Sequence, residues 1–170
     1  MTEVTVRPAA AADVDGIRRV AQLGWEAAYG AFLDAETVER AMREWYDPDV
    51  VAEGIEDPSV VYRVAASDGV VGYATGRLDR ATGHLTSLYV DPGRWGEGVG
   101  SRLFEAVLER LAERGAEYVE IRVLAENEVG RSFYAGRGVR LVIESETDLF
   151  GERVREVVYA GPVRSALAKA

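Results

Sequence analysis

Cysteine is absent from the 170 residues, and histidine occurs once. Without cysteine the chain can form no disulfide, no thiolate metal site and no thiol nucleophile, and one histidine excludes a histidine-based metal cluster. The D-x-D-x-D-G pattern of a calcium loop is also missing. We therefore expect a function that uses no metal and no covalent cysteine intermediate.

Long apolar runs are also missing. No such run approaches the ~20 residues that span a bilayer, and residues 1–7 lack the basic and apolar segments of a signal peptide. The formal net charge of -9 disfavours binding to nucleic acid and is typical of an acidic, solvated surface. These features predict one cytoplasmic domain over residues 1–170, with no membrane or nucleic-acid partner.

Hydrophobic periodicity and turn residues predict the element order β-α-α-β-β-β-α-β-α-β-β. The predicted strands cover residues 4–7, 60–66, 70–78, 84–90, 118–123, 139–148 and 153–159. The predicted helices cover residues 9–29, a segment after Asp34, a short piece between Asp47-Pro48 and Asp57-Pro58, residues 99–114 and residues 128–137. We expect a loop over 79–83, a helix end at Gly138, a strand break at Gly161-Pro162 and a frayed tail over 164–170. This order predicts an α+β fold with a mixed, mostly antiparallel sheet of about seven strands flanked by helices.

A glycine-rich turn lies between a buried strand and a helix. The strand ends at Asp91-Pro92-Gly93, and Gly96, Gly98 and Gly100 follow at alternate positions before the helix. Glycine lets the backbone approach a ligand closely, and the first helical N–H groups lack intrahelical partners. The amides of residues 96–101 therefore form a candidate phosphate or pyrophosphate site, although such a turn also occurs as a purely structural loop.

The spacing of these glycines excludes two common phosphate-binding motifs. A Walker loop needs a Lys-Ser/Thr pair after its last glycine, where Ser101-Arg102 stands here, and a dinucleotide fingerprint reads G-x-G-x-x-G. The spacing here is G-x-G-x-G after Leu88-Tyr89-Val90-Asp91-Pro92. This segment resembles motif A of the GNAT superfamily, the acyl-CoA-dependent N-acyltransferases, whose loop binds the pyrophosphate of coenzyme A.

A second segment supports the same resemblance. Asn127, followed by Phe133-Tyr134 and then Arg137-Gly138-Val139, is similar to motif B of that superfamily. The two motifs and the element order extend the resemblance over essentially the whole chain, and imply acetyl-CoA as co-substrate without a metal. The implied coenzyme A residues are Leu88, Tyr89, Val90, Arg94, Trp95, Gly96, Glu97, Gly98, Val99, Gly100, Ser101, Asn127, Phe133 and Tyr134.

The resemblance also implies how the coenzyme would be held. The backbones of Leu88 and Val90 would pair with the pantetheine arm, and the N–H of Val90 could polarise the thioester carbonyl. The family usually has Gln or Arg directly before the first glycine, whereas Trp95 stands there. Arg94 or Arg102 could supply the missing contact to phosphate.

With no cysteine available, the simplest reaction is direct attack by the amine in a ternary complex. The resemblance makes Tyr134 the candidate general acid at the departing sulfur, although it could instead only pack beneath the coenzyme. The general base is open between His84, Glu120 and a chain of water molecules. Asn127 would bind the pantetheine amide, cap a helix, or do both.

The segment between the first two helices contains Trp25, Glu26 and Tyr29. In proteins similar to this one it lies over the acceptor side of the cleft, which implies a pocket for a cationic amine. The alternative is core packing for the two aromatic residues and a solvated helix face for Glu26.

These features predict an N-acetyltransferase that acts on a primary amine of a small molecule or peptide. Acetylation of a protein N-terminus or lysine is the alternative within the enzyme class. A non-catalytic sensor of acyl-CoA and a nucleotide-phosphate binding protein are alternatives outside it. A homodimer formed through the C-terminal hairpin is also open.

Overall fold

The computed structural model describes residues 3–169 and contains one seven-stranded sheet. The strands are β1 (Thr5–Pro8), β2 (Val60–Ala66), β3 (Val70–Asp79), β4 (Thr82–Val90), β5 (Tyr118–Leu124), β6 (Arg140–Leu149) and β7 (Glu152–Pro162). The helices are α1 (Val14–Tyr29), α2 (Ala35–Trp45), α3 (Pro48–Glu56), α4 (Val99–Glu113), α5 (Glu128–Tyr134) and α6 (Val163–Lys169). The strand order β1-β2-β3-β4-β5-β7-β6 confirms the predicted mixed sheet.

The pairing of β4 with β5 decides where the sheet opens. These two strands are parallel, and every other pair of neighbouring strands is antiparallel. The β4–β5 ladder joins Thr82–Leu85 to Tyr118–Ile121 and ends there, although β4 continues to Val90 and β5 to Leu124. The second half of β4 therefore has a strand on one side only, and a gap separates it from β5.

Helices cover both faces of the sheet. On one face, the apolar residues Val99, Leu103, Val107 and Leu111 of α4 lie at helical spacing and are all buried in the main core. On the opposite face, Ile17 and the rest of the apolar side of α1 pack with residues of β2 and β3. The two helices thereby fix β4 and the glycine-rich turn from both sides.

Several predicted boundaries need correction. The predicted loop over 79–83 is wrong, because β3 and β4 continue to a tight turn at Arg80, whose φ is +58°. The first α-helix starts at Val14 rather than residue 9, after a 3₁₀ turn over Ala11–Asp13. Asp13 accepts hydrogen bonds from the Ala10 N–H and from the Arg7 guanidinium, and these bonds hold that turn in place.

The C-terminal third differs most from the prediction. Helix α5 ends at Tyr134 rather than at Gly138, because the chain turns at Gly136, whose φ is +79°. Pro162 still belongs to β7, so the predicted break at Gly161-Pro162 is wrong. The frayed tail is also wrong for residues 164–169, which lie in α6 and bury Ala166 in the main core. Ala170 lies outside the described residues.

No helix among residues 3–169 combines the length and the apolar character that crossing a bilayer requires.

Candidate functional site

A cleft of about 530 Å³ lies where β4 and β5 separate. The end of β4, the glycine-rich turn, the first turn of α4, the helix α5 and one side of α1 form its walls. Every residue of the predicted coenzyme A set except Glu97 lines this cleft. The sequence does not predict the remaining lining residues, which are Gly24, Ala28, Val129, Gly130, Ser132 and Arg137.

The glycines of the turn serve two purposes. Gly96 and Gly98 each have φ of +82°, and a Cβ on either would meet no atom within 4 Å, so backbone conformation rather than crowding favours glycine there. A Cβ on Gly100 would lie 3.0 Å from Cε2 of Phe133, so glycine there lets α5 approach α4 closely. The first turn of α4 contains no acidic residue. Its unpaired N–H groups therefore remain suited to an anion.

Side chains of the turn are engaged with one another and with β4. The Nε of Arg94 donates to both carboxylate oxygens of Glu97, at 3.0 and 3.2 Å. The Nε1 of Trp95 donates to the main-chain carbonyl of Val90 at 3.0 Å. Arg102, the other candidate for a phosphate contact, instead donates to the carbonyl of Val4 and does not line the cleft.

Arg137 is a cation of the cleft wall that the sequence does not predict. Its guanidinium carbon lies 4.0 Å from the centre of the Phe133 ring, and its Nε donates to the Phe133 carbonyl. The cation–π contact and the hydrogen bond hold a positive charge at the wall of the cleft. The spacing of four residues between Phe133 and Arg137 was the one signal in the sequence that the two could be in contact. The position of Arg137 also depends on the end of α5 at Tyr134, which the sequence did not predict.

Tyr134 is buried, with 7% of its surface exposed, and it lines the cleft. Burial raises the pKa of its hydroxyl, while Arg137 acts in the opposite direction. The hydroxyl is therefore neutral at physiological pH and able to donate a hydrogen bond. Asn127 accepts from the Gly130 N–H at 2.9 Å, so the helix-capping interpretation of Asn127 is confirmed.

The two candidate bases lie together, outside the cleft lining. His84 and Glu120 are opposite each other in the parallel ladder, on the closed side of Leu85. Arg122 donates to Glu120 at 3.2 Å and to Glu156 at 3.0 Å. The structure brings neither His84 nor Glu120 into the cleft that Tyr134 lines.

The three candidate acceptor residues do not line the cleft either. Trp25 and Tyr29 are buried in a cluster with residues of α2, in keeping with the core-packing interpretation. Glu26 is exposed and accepts a hydrogen bond from Gln22. The hydroxyls of Tyr29 and Tyr89 lie 2.8 Å apart, and Tyr89 lines the cleft. The aromatic cluster therefore contacts the cleft through Tyr89.

The fold and this cleft define a class of protein. The family model described as "Acetyltransferase (GNAT) family" matches residues 17–139, which run from α1 to the end of the cleft. The chain belongs to this family, so the resemblance noted from the two motifs is confirmed.

Among curated proteins the chain is similar to mycothiol acetyltransferases. It is 36% identical over 87 residues to that of Clavibacter sepedonicus, covering 51% of this chain and 29% of that protein. It is 42% identical over 60 residues to that of Beutenbergia cavernae, covering 35% of this chain and 20% of that protein. The matched segments therefore span less than a third of these relatives.

Solved structures of acetyltransferases share the fold. A PaiA N-acetyltransferase from Thermoplasma acidophilum in complex with coenzyme A superposes with a TM-score of 0.82 at 20% identity, covering 94% of this chain and 99% of that one. The ribosomal-protein-S18-alanine N-acetyltransferase of Escherichia coli superposes with a TM-score of 0.71 at 16% identity, covering 95% of this chain and 94% of that one. At these identities the likeness shows the fold alone.

Proposed function

We propose that the protein transfers an acetyl group from acetyl-CoA to a primary amine of a small molecule or peptide. One observation carries the proposal: a single cleft joins the glycine-rich turn, suited to phosphates, to the neutral hydroxyl of buried Tyr134. Family membership supports this chemistry.

The main chain of β4 would hold the cofactor between those ends. The amides of residues 96–101 would bind the pyrophosphate, with Arg94 and Arg137 as nearby cations. The pantetheine arm would lie along Leu88 and Val90, on the side of β4 that β5 leaves after Leu85. Polar main-chain groups on such an open strand side are available to a ligand.

The reaction would proceed by direct attack of the neutral amine on the thioester carbon. A C–N bond forms and the C–S bond breaks; Tyr134 donates a proton to the departing sulfur and regains one through water from the nitrogen, which loses a proton as the amide forms. Burial raises the pKa of Tyr134, so the proton is present at physiological pH. The amine would lose its proton to water, because neither His84 nor Glu120 lines the cleft.

The acceptor amine would enter beside the aromatic cluster of Trp25 and Tyr29. The contact of Tyr29 with Tyr89 supports this route, because it connects the cluster to the cleft wall. The similar proteins include a mycothiol acetyltransferase and a ribosomal-protein-S18-alanine N-acetyltransferase. Acetylation of a peptide or protein terminus therefore belongs to the same proposal.

A non-catalytic acyl-CoA sensor is the second candidate, and the absence of a candidate base from the cleft lining favours it. A thiol-release assay with acetyl-CoA and a panel of primary amines separates the two. We expect turnover with at least one amine, and a loss of about 10²-fold in Tyr134→Phe, as for other general acids, with unchanged acetyl-CoA affinity.

Tyr62→Phe is the matched control, because Tyr62 is also buried but lies away from the cleft, against α1 and α3. It should retain wild-type turnover. If the protein binds acetyl-CoA tightly but releases no thiol with any amine, the enzyme proposal is wrong and the protein is a non-catalytic acyl-CoA sensor.

A further inference from the structure

A second pocket, of about 330 Å³, lies between α1 and the end of α2 and shares no lining residue with the cleft. Four of its residues follow one another along one face of α1, at the spacing of successive helical turns. Met42 of α2 and Tyr46, directly after α2, complete the wall. The α1 residues are Asp15, Arg18, Arg19 and Gln22. The volume is at the lower end of the range of about 300–1,000 Å³ that small-molecule sites occupy.

Arg18 is the cation of this pocket that is held in place and still has donors to offer. Its Nε donates to the main-chain carbonyl of Tyr46 at 2.7 Å. Among residues 3–169, no carboxylate lies within 4.0 Å of Arg18. The two terminal nitrogens of its guanidinium are therefore available to a carboxylate, which such a pair of donors fits well.

The other charges of the pocket narrow the class of ligand. Arg19 adds a second cation, and Asp15 adds one carboxylate that has no cation within 4.0 Å in the part of the chain that the structure describes. A matching ligand carries two negative charges and one positive charge. Met42 and Tyr46 provide an apolar wall for the short hydrocarbon chain between them.

We propose that this pocket binds a dicarboxylic α-amino acid of the size of glutamate. The terminal nitrogens of Arg18 bind one carboxylate, Arg19 binds the other, and Asp15 accepts from the ammonium group. Each charge of the ligand then meets its opposite, in a chain whose overall net charge of -9 would otherwise repel a dicarboxylate.

Arg19 also connects the pocket to the glycine-rich turn. Its guanidinium lies 3.2 Å from Oδ2 of Asp91, and the other oxygen of Asp91 accepts from the Gly93 N–H at 2.9 Å, at the start of that turn. Half of the Arg19 side chain is exposed, so a ligand carboxylate can compete with Asp91 for it. Glutamate and acetyl-CoA should therefore weaken each other's binding by the same factor, up to about fivefold for an exposed ion pair. This coupling rests on the proposed function, whereas the pocket itself does not.

Isothermal titration with L-glutamate at constant ionic strength tests the site. We expect saturable binding to wild type and a loss of at least about tenfold in Arg18→Gln, the effect of a lost hydrogen bond between charged groups. Arg43→Gln is the matched control, because Arg43 is an exposed arginine of α2 outside both pockets, and it should bind like wild type. Thermal melts check that Arg18→Gln is folded. Absence of saturable binding to wild type, or equal losses in the two variants, would overturn the proposal.

Glutarate, which lacks the ammonium group, tests the role of Asp15 by a change of sign. Asp15→Asn should weaken the binding of glutamate but tighten that of glutarate, because it removes a like charge from beside a dicarboxylate. Glu36→Gln, at an acidic residue in the first turn of α2 and outside the pocket, should change neither affinity. A shift in the same direction for both ligands in Asp15→Asn would contradict the proposed site.

Titration of acetyl-CoA with and without saturating glutamate tests the coupling. Arg19→Gln should make the affinity for acetyl-CoA insensitive to glutamate. If glutamate binds wild type and leaves its acetyl-CoA affinity unchanged, the coupling is wrong while the proposed function stands. If wild type binds no acetyl-CoA, the proposed function and the coupling both fail, and the glutamate titrations still decide the pocket.

Discussion

The indole Nε1 of Trp95 donates a hydrogen bond to the main-chain carbonyl of Val90 at 3.0 Å. Val90 is the last residue of β4, and Trp95 stands directly before the first glycine of the turn. The bond therefore attaches the start of the turn to the end of the strand, and both residues line the cleft. It orients the amides that the proposed function assigns to the pyrophosphate.

Trp95→Phe keeps an aromatic ring and removes the donor. A typical net hydrogen bond contributes about 0.5–1.5 kcal/mol, so acetyl-CoA should bind about 2- to 10-fold more weakly. Isothermal titration measures the change, with Trp45→Phe as a control at an exposed indole outside the cleft. Tighter binding by Trp95→Phe would mean instead that the indole competes with the ligand for the Val90 carbonyl.

Glu97 places a negative charge beside the cation Arg94, next to the proposed phosphate site. Glu97→Gln should therefore tighten coenzyme A binding severalfold at low salt, and less at high salt because salt screens exposed charges. Glu113→Gln removes the acid from another pair with the same spacing, Arg110–Glu113. If both variants bind alike, Glu97 has no influence on the ligand.

Gly24 lets α1 pack against β4. A Cβ there would lie 2.8 Å from Cδ1 of Tyr89, so Gly24→Ala should destabilise the fold by about 1–3 kcal/mol through overpacking, and weaken acetyl-CoA binding by displacing Tyr89. Gly54 is also inside a helix, but its Cβ would have ordinary contact with Tyr62 at 3.4 Å. Gly54→Ala should stabilise by about 0.5–1 kcal/mol. Denaturant unfolding measures the free energy of unfolding of both variants. Equal changes in Gly24→Ala and Gly54→Ala would contradict the close packing of α1 against β4.

The ion pair of Arg7 with Asp13 predicts a pH dependence of stability. The hydrogen bond from Arg7 is the main reason that the pKa of Asp13 lies below its usual value, and the Ala10 N–H adds to it. A lowered pKa in the folded state stabilises above the unfolded-state pKa of about 3.9, and this contribution is lost as the pH falls through the folded pKa.

Asp13→Asn should therefore cost about 1.5 kcal/mol between pH 5 and 8, the low end of the scale for a hydrogen bond to a charged group, because the Arg7 side chain is partly exposed. Below about pH 4 the deficit should shrink, because the wild-type carboxyl also becomes protonated. Thermal melts of wild type and Asp13→Asn, from below pH 4 to pH 8, measure this difference in stability. A deficit that grows on acidification would contradict the lowered pKa.

Much of the fold could be predicted because turn residues stand at its boundaries. The Asp47-Pro48 and Asp57-Pro58 pairs gave α3 its correct limits, and the strand predicted over residues 60–66 has the bounds of β2. Helix α6 was not predicted, because its segment is short and directly follows Gly161-Pro162. Its burial depends on packing against the main core, and Val163 and Ala166 were the only local signal.

The cleft was predicted only where motifs mark it. The glycine-rich turn, Asn127 and Tyr134 are recognisable by spacing, and they line one cleft. Gly24 contributes through the position of α1 over β4, which no local pattern reveals. His84 and Glu120 were plausible by residue type, but the parallel ladder that pairs them ends before the cleft begins.

Titration calorimetry with acetyl-CoA, coenzyme A and ATP tests the central claim most directly. The comparison uses Gly98→Ala and Gly115→Ala, which introduce a Cβ at φ of +82° and +109° without any neighbour within 4 Å. Both carry similar backbone strain, about 1–2 kcal/mol, but only Gly98 lines the cleft.

We predict binding of acetyl-CoA and coenzyme A, no heat with ATP, a loss of at least tenfold in Gly98→Ala and wild-type affinity in Gly115→Ala. Absence of acetyl-CoA binding to wild type, or equal losses in the two variants, would contradict the assignment of the cleft.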